Sequence, residues 1–235
     1  MAKKPSARAE YKEKFYSSKH WTLLANLRKE ATRLMEILEE ANLESVVHGS
    51  IARGDVSARS DIDVFVQTPV SSFNVEVALE KKGIDIERRL IVQATPSYAM
   101  KAHIEVGERV SVTFPLMKMR TVEREFYGFG GKVSLNEIKK GLRVPGVDKR
   151  LMLIEPTCEG HRESTVAGHE EQVAKLVGLS VETVTDRVRA LTRRDRVGRT
   201  GVFVEEELRG DETFEMGLDR LASSNPAVRR RARSL

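Results

Sequence analysis

Residues 45–66, SVVHGSIARGDVSARSDIDVFV, constrain the fold more than any other stretch of the chain. A short apolar run, Ser45 to His48, ends at Gly49-Ser50; Ile51 to Gly54 suits one turn of helix, and Ile62 to Gln67 resumes as a strand after a polar loop. Strand alternation sends Ile62, Val64 and Val66 to one face and sets Asp61 and Asp63 together on the other, roughly 6–7 Å apart along the chain. Two carboxylates held that close repel unless something positive lies between them. Magnesium meets that need, because it takes carboxylate oxygens together with the phosphates of a nucleotide. Two such ions about 3.5–4 Å apart serve the attacking and the leaving oxygen of a displacement. Upstream, Gly49-Ser50 leads into a helix N-terminus, where unpaired N–H groups attract phosphate. The bare Cα of Gly49 lets the backbone approach the anion. Ser50 adds a hydroxyl, and Arg53, one turn on, extends toward a phosphate oxygen.

The rest of the chain surrounds this stretch with helices and strands. Residues 18–42 read as a helix, with Trp21, Leu24, Leu27, Ala31, Leu34 and Leu38 at three- and four-residue steps. Another helix is expected over 73–82, ending at Gly83. Strands follow at 88–94, 101–106 and 109–114, the last two joined by a Gly107-Glu108 turn. Ser134 to Glu137 has capping-box spacing, and 151–154 is a short strand closed by Pro156. The polar run PTCEGHREST shows no periodicity, which sets a domain boundary near 156–165. Cys158 and His161 have the Cys-x-x-His spacing of a zinc ligand pair, with His169 nearby; lacking a fourth ligand, they read as a linker thiol and two ordinary histidines.

From residue 168 the pattern changes. EEQVAKLVGLSVETVTDRVRALTRR gives a helix to Val177, a turn at Gly178-Leu179-Ser180 and a second helix from Val181, with Ala174 small enough for close approach and Val181, Val184, Val188 and Leu191 as the inner face. RVGRTGVFVEE then reads as a hairpin wing, and NPAVRRRARSL as a frayed basic tail. Arg187, Arg189, Arg193, Arg194, Arg196 and Arg199 suit phosphate contacts to a nucleic acid, whereas Glu182 and Asp186 oppose them. Winged helices also serve as protein–protein modules, so a dimer or larger oligomer is left open.

Composition narrows the class. The net charge is +5 and the pI about 9.3, a mildly basic balance that suits an anionic partner. No apolar run approaches the ~20 residues that span a bilayer, and the charged start, MAKKPSARAEYKEK, is unlike a signal peptide. A single cysteine allows no internal disulfide, and the expected location is cytoplasmic.

The string Gly49-Ser50-Ile51-Ala52-Arg53-Gly54-Asp55, followed by Ser60-Asp61-Ile62-Asp63, closely resembles the signature of the DNA-polymerase-β-like nucleotidyltransferases, and most of all the minimal members. The resemblance implies an α+β fold, a mixed sheet with flanking helices over residues 1–157; the residue pattern beyond it adds a small winged helix-turn-helix domain with a basic tail at 165–235. The resemblance also implies transfer of a nucleoside monophosphate from an NTP, ATP first among the candidates, to an acceptor hydroxyl with release of pyrophosphate. Gly49, Ser50, Arg53 and Ser60 would bind the nucleotide, and Asp61 and Asp63 would bind two magnesium ions. The family's third carboxylate is assigned to Glu105, with Asp85 and Glu87 as rivals. The alternative is a DNA-binding regulator whose degenerate transferase domain senses nucleotides. RNA ends, a protein side chain and a small hydroxyl compound all stay open as acceptors.

Overall fold

The computed structural model describes residues 12–198 and 201–233. In chain order the elements are β1 (Lys12–Phe15), α1 (Ser18–Glu40), β2 (Ser45–His48), α2 (Ser50–Arg53), β3 (Ile62–Val66), α3 (Ser72–Glu80), β4 (Arg88–Gln93), β5 (Lys101–Gly107), β6 (Val110–Pro115), α4 (Thr121–Phe129), β7 (Lys132–Ser134), α5 (Leu135–Lys139), β8 (Gly146–Val147), β9 (Met152–Thr157), β10 (Gly160–Thr165), α6 (Glu170–Val177), α7 (Val181–Val197), β11 (Val204–Glu207), α8 (Phe214–Ser224) and α9 (Pro226–Arg233). Of the described residues, 12–32, 47–60 and 124–198 form one unit, and 33–46, 61–123 and 201–233 the other. No helix among them is long and apolar enough to cross a membrane.

The first unit holds an antiparallel sheet of order β1-β10-β9-β8. Here the structure departs from the sequence reading, because β9 runs through Pro156 and the supposed polar linker is a β-hairpin. On β10 the buried side chains, His161, Glu163 and Thr165, alternate with Arg162 and Ser164, so the period of two is present but written in polar residues. They are buried because they are paired. His161 Nε2 donates to Glu163 Oε1 at 3.3 Å, which leaves Nδ1 to accept from Tyr16 Oη at 2.6 Å, and Arg150 Nη2 donates to the same Glu163 oxygen at 2.6 Å.

The expected helix–turn–helix pair is present as α6 and α7, with Gly178 in the left-handed region at φ 68°. Val173, Ala174 and Val184 are buried with Phe129, Val147, Leu151, Leu153 and Val166, and Val177, Leu179, Val188 and Leu191 pack against that cluster. Val181, expected on the inner face, is instead 44% exposed. Ser134 closes the anticipated capping box with Glu137 at the start of α5.

The second unit contains strands in the order β11-β4-β5-β6-β3. The sheet is mixed: β3 runs parallel to β6 and the other pairs are antiparallel, β5 and β6 forming the hairpin expected around Gly107. Its apolar face buries Ile62, Val64, Ile91, Ala102, Ile104, Val112 and Phe114, and the Phe114 ring meets Phe214 of α8 edge-on, 5.6 Å between centroids. No hairpin wing forms among the described residues. Val204–Glu207 pairs with β4 instead, where Val204 is buried, Glu206 pairs with Arg220 and Glu207 pairs with Arg88. Nor is the basic tail frayed over its described length. It forms α9, fastened by buried Arg231, which donates to the carbonyls of Ser97 (3.2 Å) and Lys118 (2.8 Å) and lies 3.4 Å from the buried carboxylate of Glu123.

Candidate active site

The glycine turn in the first unit is built around Gly49. Its backbone sits at φ 76°, ψ −142°, a region open only to glycine, and its N–H donates to Gly131 O at 2.9 Å. Among the described residues nothing lies within 4 Å of where a Cβ would stand on Gly49. The loop that accepts this bond is in turn approached closely by Gly146 of β8, where a Cβ would lie 2.4 Å from Gly131 N. From α1, Arg28 donates to the carbonyls of Ile51 and Ala52, both at 3.0 Å, and so pins α2. Burial, helped by the like charge of Arg143, lowers the Arg28 pKa to about 10.

The structure brings two predicted nucleotide-binding hydroxyls together. Ser50 Oγ donates to Ser60 Oγ at 3.0 Å, and Ser60 Oγ also accepts from Ser57 N at 2.9 Å. Arg53 behaves otherwise. Its guanidinium is engaged on every nitrogen: Nε and Nη2 each lie 2.9 Å from an oxygen of Asp55, and Nη1 donates to Gly130 O at 2.6 Å. At 5% exposure it is a buried clamp between α2 and the glycine loop, not a side chain extended toward an anion.

The acidic residues lie in the second unit. Asp61 immediately precedes β3, exposed and without a hydrogen-bond or ion-pair partner among the described residues. Asp63 stands on β3, half-buried, and its Oδ1 accepts from Thr113 Oγ1 at 2.8 Å and from Ser111 Oγ at 3.3 Å. The cross-strand register explains both bonds, since Asp63 is opposite Ser111 on β6, and Thr113 follows on the same face. Glu105 is on that row as well, but opposite Ser111 on its far side, on β5. Two interstrand spacings, roughly 10 Å, therefore separate its backbone from that of Asp63. Its carboxylate turns to Arg88 Nη1 at 3.4 Å and lies 3.9 Å from His103 Nε2, while His103 Nδ1 is hydrogen-bonded to Thr113 Oγ1 at 2.9 Å. Asp85 and Glu87 are exposed and precede β4, one strand further still.

Sequence reasoning missed Ser111 and Thr113. The alternation in Val110-Ser111-Val112-Thr113-Phe114 marks a polar strand face, but nothing local says that β6 is the neighbour of β3. Among the described residues, no group of three or more His, Cys, Asp or Glu is disposed to hold a metal. Cys158 is exposed, and His161 is committed to Tyr16 and Glu163. Asp61 and Asp63 nevertheless fit magnesium chemically: two hard carboxylates supplemented by substrate phosphates are the donor set it takes, without an all-protein cage.

The arginines expected to touch nucleic acid divide into kinds. Arg187 lies over the Phe126 ring at 4.6 Å and near Phe129 at 5.9 Å, whereas Arg189, Arg193, Arg194 and Arg196 are exposed. Arg199 lies outside the described residues.

Neither the curated proteins nor the solved structures contain a match to the chain. Residues 27–124, which include the whole stretch from Gly49 to Asp63, match the family model of the nucleotidyltransferase domain.

Proposed function

We propose that the chain transfers a nucleoside monophosphate from an NTP to an acceptor hydroxyl and releases pyrophosphate. The observation that carries this reading is the coincidence, inside residues 27–124, of a glycine-only backbone at Gly49, the Ser50–Ser60 hydroxyl pair and the Asp61/Asp63 pair at the start of β3. Gly49 leaves room for a triphosphate to meet the backbone, and the two serines orient its oxygens. Asp61 and Asp63 are the residues that would hold magnesium, which when bound neutralises phosphate charge and polarises the reacting phosphorus. Thr113 and Ser111 fix the rotamer of Asp63, so its carboxylate needs little rearrangement when ligand arrives.

A second reading, nucleotide binding without transfer, draws on one specific feature. The strand beside β3 turns hydroxyls toward Asp63, while Glu105 stands one strand further away and is paired with Arg88. On this reading the domain reports nucleotide occupancy instead of consuming the nucleotide.

One experiment separates the two. The full chain is incubated with magnesium, ATP labelled on the α-phosphate and a cell extract, in parallel with an equilibrium binding measurement. Label transferred to an acceptor, and lost in Asp61→Ala and Asp63→Ala, supports the enzyme. Binding lost in the same variants, with no label transferred by the parent chain, supports the sensor. Binding indifferent to both substitutions overturns the site.

A further inference from the structure

Helix α7 is packed on one face over its first turns and open to solvent all round in its last ones, and the charge it exposes is divided along its length. The N-terminal end is closed within its own unit. Ser180 caps Thr183 N at 3.2 Å, and Glu125 of α4 accepts from Ser180 N at 3.3 Å and from the hydroxyls of Ser180 and Thr183. A carboxylate of the protein therefore already occupies the positive end of the helix. The inner face, Val184, Val188 and Leu191, is spent on the core, and Arg187 is spent on Phe126.

The exposed charges are Glu182 and Asp186 toward the N-terminus, then Arg189, Arg193, Arg194 and Arg196 toward the C-terminus, with Asp195 as the one acid among them. A helix-turn-helix that reads DNA presents the N-terminal residues of its second helix to the base edges. Here those residues are Val181, Glu182 and Asp186, and the two acids repel a phosphate backbone. The arginines occupy the other half. Arg189, Arg193 and Arg196 follow at four- and three-residue steps, so neighbours stand about 5–6 Å apart on one line that extends about 10 Å along the axis. Among the described residues none of the four exposed arginines is ion-paired. Complementing the helix dipole accounts for bases in the last turn, Arg194 and Arg196, but not for Arg189 or Arg193 further in. Like charges at that spacing weaken a helix when nothing lies across from them.

We propose that the C-terminal half of α7 docks the phosphodiester backbone of a nucleic acid without reading its sequence, and that the N-terminus of the helix stays out of the groove. A polyanion is the partner whose charge answers a line of unpaired arginines, and the sealed, acidic first turns leave no means of reading bases. The inference does not rest on the transfer chemistry, because docking needs neither NTP nor magnesium.

The test uses the full chain without nucleotide, with fluorescent duplex DNA and duplex RNA, each in two unrelated sequences, titrated between 50 and 200 mM salt. Four phosphate contacts give a slope of log K against log salt of about −3 to −4. Affinities for the two sequences of either kind should agree within about threefold. Arg189→Ala/Arg193→Ala/Arg196→Ala together should flatten the slope by about 2 to 3 and weaken binding at least tenfold at low salt. Arg193→Glu, a single change at an exposed site, should weaken it several-fold, and Lys139→Ala/Lys140→Ala should leave it as it was. A preference for DNA or RNA names the partner and supports the proposal. Unchanged binding by a folded triple variant, a preference for one sequence, or binding to polyglutamate but to neither nucleic acid overturns it.

Discussion

Thr113 Oγ1 donates to Asp63 Oδ1 at 2.8 Å, so the strand beside β3 answers its carboxylate with a hydroxyl. Thr113→Val keeps the shape and removes the donor. The expected loss is about 1–3 kcal/mol in chemical denaturation, with weaker magnesium-dependent ATP binding. Thr113→Asp should do the reverse in one respect. Two carboxylates face each other there, so the metal-free protein melts lower, and magnesium raises its melting temperature by more than it raises that of the parent chain.

Gly49→Ala should destabilise by about 1–3 kcal/mol. No atom among the described residues lies within 4 Å of the new methyl, so the whole cost belongs to the backbone at φ 76°, ψ −142°. Gly83, also open but in the ordinary left-handed region at φ 68°, provides the comparison. Gly83→Ala should cost less in the same urea titration, about 1 kcal/mol.

Arg53→Ala should lower stability by about 3 kcal/mol with no nucleotide present, because it leaves the half-buried Asp55 without its partner. Asp55→Ala should cost a comparable amount, and the double variant less than the sum of the two. Such a cycle, measured by thermal melting, distinguishes a clamp from a phosphate ligand.

Glu125 supplies a pH dependence. Burial works to raise its pKa, but the donors Ser180 and Thr183 outweigh burial and hold the carboxyl below its usual range. A depressed folded-state pKa means that the stabilisation is present above the unfolded value, about 4.3, and is lost as pH falls through the lower folded value. The melting temperature of the parent chain should therefore drop more steeply below about pH 4 than that of Glu125→Gln.

How much of this was legible depended on distance along the chain. The motif of Gly49, Ser50, Asp61 and Asp63 is local, and the glycine turn and flanking strand followed from neighbouring residues. The helix–turn–helix pair was legible for the same reason, through Ala174, Gly178 and Val184. Strand β10 was hidden because its buried positions are His161 and Glu163, which become core residues only once Tyr16 and Arg150 satisfy them. Arg53 looked like a phosphate ligand because spacing alone does not reveal Gly130 and Asp55 as its partners. Glu105 was chosen on the character of its own strand, whereas its separation from Asp63 depends on strand order. Arg231 resembled a free tail residue for want of any local sign of Glu123 and Lys118.

The pairing of Val204–Glu207 with β4 also bears on how the chain is made. β4 has β5 on one side only until the ribosome has delivered residues 204–207, and this edge of the sheet stays unpaired before then. Long-range pairing of this kind is slow, and an unpaired edge invites association with other chains while it waits. Synthesis halted before residue 204 should therefore yield a product that aggregates, even though it carries every residue of the nucleotidyltransferase match.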